Sequence, residues 1–77
     1  MSAFEPAVLN WDSVIHKGVM TKDGEPLGTI AYEEQDSFIV LSSRFREYKI
    51  PKSHVEAFDG SQVYLDIVWR DMAGYRI

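Results

Sequence analysis

The chain has 77 residues, no cysteine and a formal net charge of −4, which leaves room for one domain and excludes disulfides, thiolate metal sites and thiol chemistry. Hydrophobic residues make up 45% and charged residues 26%, the balance of a globular domain, and the longest unbroken apolar run, Phe38-Ile39-Val40-Leu41, falls far short of the ~20 residues of a membrane-spanning helix. The acidic excess argues against non-specific binding to nucleic acid and against adhesion to an anionic membrane.

Residues 1–13 read as an irregular leader. It has no basic segment followed by a long apolar one, so a secretory signal is not expected. Glu5-Pro6 biases the backbone to an extended shape, and Phe4, Val8, Leu9 and Trp11 make the segment too apolar for a solvated tail. From Val14 the pattern turns to strands. Val14 to Thr21 is the first, ended by Lys22-Asp23-Gly24-Glu25, where Asp-Gly is a strong hairpin signal and Gly24 supplies the positive φ of a tight turn. Leu27 to Glu33 is the second. Gly28 lies inside it, where glycine often marks a bulge or a close backbone approach. Glu33-Glu34-Gln35-Asp36 is a polar turn, and Ser37 to Ser42 a third strand whose apolar run suits burial on both faces.

Ser43 to Arg46 turns the chain. Glu47 to Ile50 alternates, with Tyr48 and Ile50 on one face and Glu47 and Lys49 on the other. Pro51 ends that strand, and Pro51-Lys52-Ser53-His54 reads as a tight or single-turn helical corner. Val55 to Phe58 is a short strand, Asp59-Gly60 a second hairpin signal, and Gln62 to Ile67 alternates again with Val63, Leu65 and Ile67 inward. Residues 68–77 suit either a further strand or a short helical tail. About six short strands, with turn signals every ~8–12 residues and no long helix, predict an all-β domain over residues 14–67. The expected form is a small closed or half-closed antiparallel barrel, since closure removes exposed sheet edges.

Three motifs resemble the PRC-barrel family. They are the Lys22-Asp23-Gly24-Glu25-Pro26-Leu27-Gly28-Thr29-Ile30 hairpin, the Tyr48-Lys49-Ile50-Pro51-Lys52-Ser53-His54-Val55 element, and the closing Asp59-Gly60-Ser61-Gln62-Val63-Tyr64-Leu65 hairpin. They occur in family order across residues 14–67. The resemblance implies protein–protein contact and assembly without catalysis. Family members include the cytoplasmic part of the photosynthetic reaction-centre H subunit, the C-terminal domain of the bacterial ribosome maturation factor, and modules of archaeal cell-division proteins. This chain is similar in length to the short stand-alone archaeal members. It lacks the transmembrane helix of the first and the partner domain of the second. The resemblance therefore implies an adaptor of a cytoplasmic assembly, with archaeal cell division as the setting.

No catalytic constellation stands out. His16 and His54 lie far apart and suit surface and corner positions better than metal ligation. Ser42-Ser43 lacks a nucleophile elbow, and Gly18, Gly24 and Gly28 are spaced for turns rather than for a phosphate loop. An enzyme, a metal and a cofactor are not expected. The charge is unevenly spread: residues 1–36 hold two lysines against seven acids, whereas residues 37–77 hold six basic residues against five acids. Arg44, Arg46, Lys49 and Lys52 concentrate four of the eight basic residues around Phe45 and Tyr48. This basic–aromatic cluster suits a plain hairpin tip, a protein-binding patch or, as the alternative function, an RNA-binding barrel in ribosome maturation or RNA processing. Trp11 and Trp69 suit interface anchors or plugs of the barrel ends. The expected protein interface is Trp11, Arg44, Phe45, Arg46 and Trp69, with Gly24, Gly28, Pro51 and Gly60 as structural turns. The small core and apolar termini make a homodimer the expected form.

Overall fold

The computed structural model describes residue 8 and residues 10–77; the leader residues Phe4, Glu5, Pro6 and Leu9 lie outside the described residues. A 3-10 turn, Trp11–Val14, leads into β1 (Gly18–Met20), β2 (Pro26–Glu33), β3 (Ser37–Leu41) and β4 (Glu47–Pro51). A 3-10 corner, Lys52–His54, precedes β5 (Val55–Phe58) and β6 (Gln62–Leu65), and a longer 3-10 segment, Trp69–Tyr75, follows. Strand β1 is shorter than the Val14 to Thr21 span of the alternation. Val14 instead closes the opening 3-10 turn, which Asn10 caps by accepting the Asp12 N–H at 3.0 Å.

The two Asp-Gly pairs make the turns between β1 and β2 and between β5 and β6, with φ of 85° at Gly24 and 95° at Gly60. Short polar side chains tie both turns. Thr21 Oγ1 accepts the Glu25 N–H at 3.0 Å and donates to Asp23 at 2.5 Å. Asp59 accepts the N–H groups of Ser61 and Gln62 and the Tyr64 hydroxyl at 2.7–2.9 Å. Those bonds hold its carboxyl well below the usual range and push the Tyr64 phenol up.

The strands form one sheet in the order β4-β3-β2-β1-β6-β5. The sheet is not closed into a barrel, and it is not wholly antiparallel: β1 pairs with β6 in parallel, while every other pairing is antiparallel. Strands β4 and β5 are consecutive in the chain yet occupy opposite edges. A flat sheet would hold those edges about 24 Å apart at ~4.8 Å per strand. The path from Pro51 to Val55 spans at most about 15 Å at ~3.8 Å per residue. The sheet must therefore twist and curl strongly. Register shifts in the β1–β2, β2–β3 and β5–β6 pairings supply bends of the kind that let a sheet curl. Closure fails because β4 spends its outer edge on the C-terminal segment. Tyr48 bridges to Arg76, and the Ile77 N–H donates to the Glu47 carbonyl at 3.0 Å. Residues 68–77 thus combine a helical segment with one strand-like contact.

The concave face carries the core. Ile30, Phe38, Val40, Ile50, Val63 and Leu65 are buried there, joined by Val14 and Met72 from the 3-10 segments and by Val8. Ile39 is also buried but lies outside this cluster, so β3 is covered on both faces, as its apolar run implies. Gly28 backs directly onto β3: a Cβ at this position would fall on the Leu41 carbonyl. Among the described residues no helix is long and apolar enough to cross a membrane.

Candidate functional site

The turn between β3 and β4 is built around Ser42. Its N–H donates to the Arg46 carbonyl at 2.9 Å, its carbonyl accepts the Phe45 N–H at 3.0 Å, and its hydroxyl oxygen accepts the Arg46 N–H at 3.2 Å. This is a three-residue hairpin connection, in which the residue after the turn must adopt left-handed backbone and is ordinarily glycine. Here that residue is Phe45, with φ of 60°. The residue is 87% exposed. A bulky residue is strained in this region by about 1–2 kcal/mol, and nothing in the fold's own core recovers that cost.

A second element approaches the turn from the far end of the chain. The Trp69 N–H donates to Asp23 Oδ1 at 3.0 Å, which fixes the start of the C-terminal 3-10 segment against the β1–β2 turn. The Thr21 hydroxyl and this N–H hold the Asp23 carboxyl below its usual range. Trp69 itself stays 47% exposed. Between the two elements lies a groove of about 290 Å³. The turn supplies Ser42, Ser43, Arg44 and Arg46, β2 supplies Pro26 and Leu27, β4 supplies Tyr48, and Trp69 completes the lining.

Three of the five interface residues expected from sequence, Arg44, Arg46 and Trp69, therefore share one groove, with Phe45 projecting beside it. Trp11 does not join them. Its ring packs on Phe38 with centroids 5.0 Å apart, and the Lys52 ammonium lies 4.8 Å above it, so it serves the core. The basic cluster also divides. Lys49 pairs with Glu34 at 3.2 Å and Lys52 with Glu33 at 2.5 Å, and the Lys49 ammonium and Ser37 hydroxyl hold the Glu34 carboxyl low. Tyr48 is buried. Among the described residues, Arg44 and Arg46 make no ion pair.

The four turn positions all shape the backbone. Gly24 and Gly60 hold positive φ, Gly28 makes the close approach to Leu41, and Pro51 precedes the 3-10 corner. His54 pairs with Asp66 at 2.8 Å, and among the described residues no group of three His, Cys, Asp or Glu could hold a metal ion.

Sequence reasoning missed Asp23, Leu27 and Ser42 as parts of the site. For Ser42 a signal existed: the stretch Ser42-Ser43-Arg44-Phe45-Arg46 joins two strands with no Gly, Asn or Asp to take up positive φ. Asp23 reads as turn chemistry alone, because nothing local announces a bond to a residue 46 positions away. Compared with family models, with curated proteins and with solved structures, the chain matches none.

Proposed function

We propose that this chain is a protein-binding module that engages a partner protein through the β3–β4 turn and the adjoining groove. The observation that carries the reading is Phe45, a large aromatic held in left-handed backbone and 87% exposed. Local rules broken without a structural return are expected at functional positions. The flanking residues suit a protein partner: Arg44, Arg46 and Trp69 are of the types that dominate binding hot spots. The RNA-binding alternative has weaker support, because Lys49 and Lys52 are neutralised by Glu34 and Glu33 and Tyr48 is too buried to stack a base.

This reading does not depend on the PRC-barrel resemblance, which neither the comparisons nor the open sheet support. A place in archaeal cell division rests on that resemblance alone. A photoreactive phenylalanine analogue at Phe45, with a control at the exposed Glu56 on β5, tests the proposal in the native host. The expected result is a discrete protein adduct at Phe45 and none at Glu56. Adducts to RNA alone, or equal labelling at both positions, would overturn it.

A further inference from the structure

We infer that the groove beside Phe45 receives an acidic linear segment of the partner, seating one apolar side chain against Trp69 with carboxylates on Arg44 and Arg46. The inference rests on the protein-binding reading and names the chemistry that the groove selects. Charge carries the argument first. The chain is net −4, yet among the described residues the groove lining holds two arginines and no acidic residue. Among the described residues Lys49 and Lys52 pair with carboxylates and His54 hydrogen-bonds Asp66, and none of these contacts involves a groove guanidinium. An arginine pair open to solvent beside an apolar wall matches a carboxylate closely, because the planar fork donates two parallel hydrogen bonds.

Size and shape narrow the occupant. At about 290 Å³ the groove falls just below the ~300–1,000 Å³ range of small-molecule sites. One or two side chains fill it, and a folded surface does not enter. Its apolar lining comes from Pro26, Leu27 and the half-exposed Trp69, with the ring of Tyr48 beneath. The backbone N–H of Trp69 is tied to Asp23, so the segment that carries the indole is fixed before anything binds and its backbone adds little ordering cost to association. The second wall is equally preset, since Ser42 ties both ends of the turn that bears the arginines.

The chain has two tryptophans, so Trp11→Phe leaves Trp69 as the sole indole reporter. The probe is a hexapeptide of glutamate and aspartate around one leucine, titrated beside its glutamine and asparagine counterpart. The acidic peptide should shift Trp69 emission to the blue, and the neutral one should bind about tenfold more weakly or worse. Arg44→Gln with Arg46→Gln should cost about tenfold in affinity, and added salt should weaken binding. Amide chemical shifts of residues 42–46 in the unaltered chain give a second readout should Trp11→Phe perturb the fold. Equal binding of both peptides, no binding at millimolar peptide, or tighter binding of a uridine hexanucleotide would overturn the inference. Protein adducts at Phe45 without peptide binding would sink the groove assignment alone; loss of both would sink the protein-binding reading as well.

Discussion

Oδ1 of Asp23 accepts two hydrogen bonds, from the Thr21 hydroxyl at 2.5 Å and from the Trp69 N–H at 3.0 Å. One carboxylate oxygen thus joins a tight turn to the segment that carries the exposed indole. Asp23→Ala should free the start of Trp69–Tyr75, raise acrylamide quenching of Trp69 and lower the melting temperature. Asp23→Asn keeps an acceptor oxygen and should restore most of the loss. The folded carboxyl sits below its usual value near 3.8. The stabilisation from this bond is therefore complete above that value and is lost as pH falls through the lower folded value. Trp69 emission in the unaltered chain should change below about pH 4, and that change should be absent in Asp23→Ala.

Gly28→Ala tests the close approach of β2 to β3. The new Cβ would meet the Leu41 carbonyl and the Ser42 backbone, neither of which moves without breaking the ladder. Overpacking against side chains costs about 1–3 kcal/mol, and a clash with backbone should reach the top of that range or exceed it. A core of this size supplies only about 3–5 kcal/mol, so the variant should be largely unfolded by circular dichroism. Gly74→Ala is the control: a Cβ there meets nothing and its φ is not positive. That variant should be neutral or gain up to about 1 kcal/mol.

The strands were legible where alternation met a strong turn. Tyr48 and Ile50 inward with Glu47 and Lys49 outward, and Val63 and Leu65 inward, appear in the structure as the period of two requires. The Lys52–His54 corner follows from Pro51. Direction and closure were not legible, because a period of two says nothing of which neighbour a strand takes or which way it runs. The parallel β1–β6 pairing and the capture of the β4 edge by Arg76 and Ile77 depend on contacts between distant segments. The site was half legible. Arg44-Phe45-Arg46 drew attention as a cluster of residue types, but its meeting with Trp69 depends on the Asp23 bond. The pairing of Lys49 and Lys52 with Glu34 and Glu33 required the β2–β3–β4 register.

The two tryptophans should respond differently to truncation. Trp11 packs on Phe38 and against the core cluster, so Trp11→Ala should cost about 2–3 kcal/mol, below the ~3–5 of a fully buried aromatic. Trp69→Ala removes a half-exposed ring and should leave the melting temperature nearly unchanged. The termini are also less exposed than their composition implies: Val8 and Met72 are buried, and Val68 and Tyr75 are half-buried. Among the described residues of that group, Trp69 and Ile77 are left as the large exposed apolar ones. Self-association, if it forms through the chain's own apolar surface, should therefore weaken in Trp69→Ala and not in a folded Trp11 variant. Light scattering at tens of micromolar, with melting followed against concentration, checks this. A monomer with a concentration-independent melting temperature would exclude the homodimer.

Phe45→Gly is expected to stabilise the fold, although it deletes an aromatic ring. Residues at positive φ are strained by about 1–2 kcal/mol unless they are glycine, and Phe45 holds φ of 60°. Glycine returns about 0.5–1 kcal/mol of that through the extra freedom of its unfolded chain. The ring buries almost nothing that its removal could forfeit, being 87% exposed. The balance is a gain of about 0.5–1 kcal/mol, readable as a higher urea midpoint at unchanged slope. Phe45→Ala keeps the strain and should show no such gain, which separates relief of backbone strain from mere loss of an exposed ring. A lower midpoint for Phe45→Gly would mean that the ring stabilises the hairpin itself, and Phe45 would then lose its standing as a residue held in place for a partner.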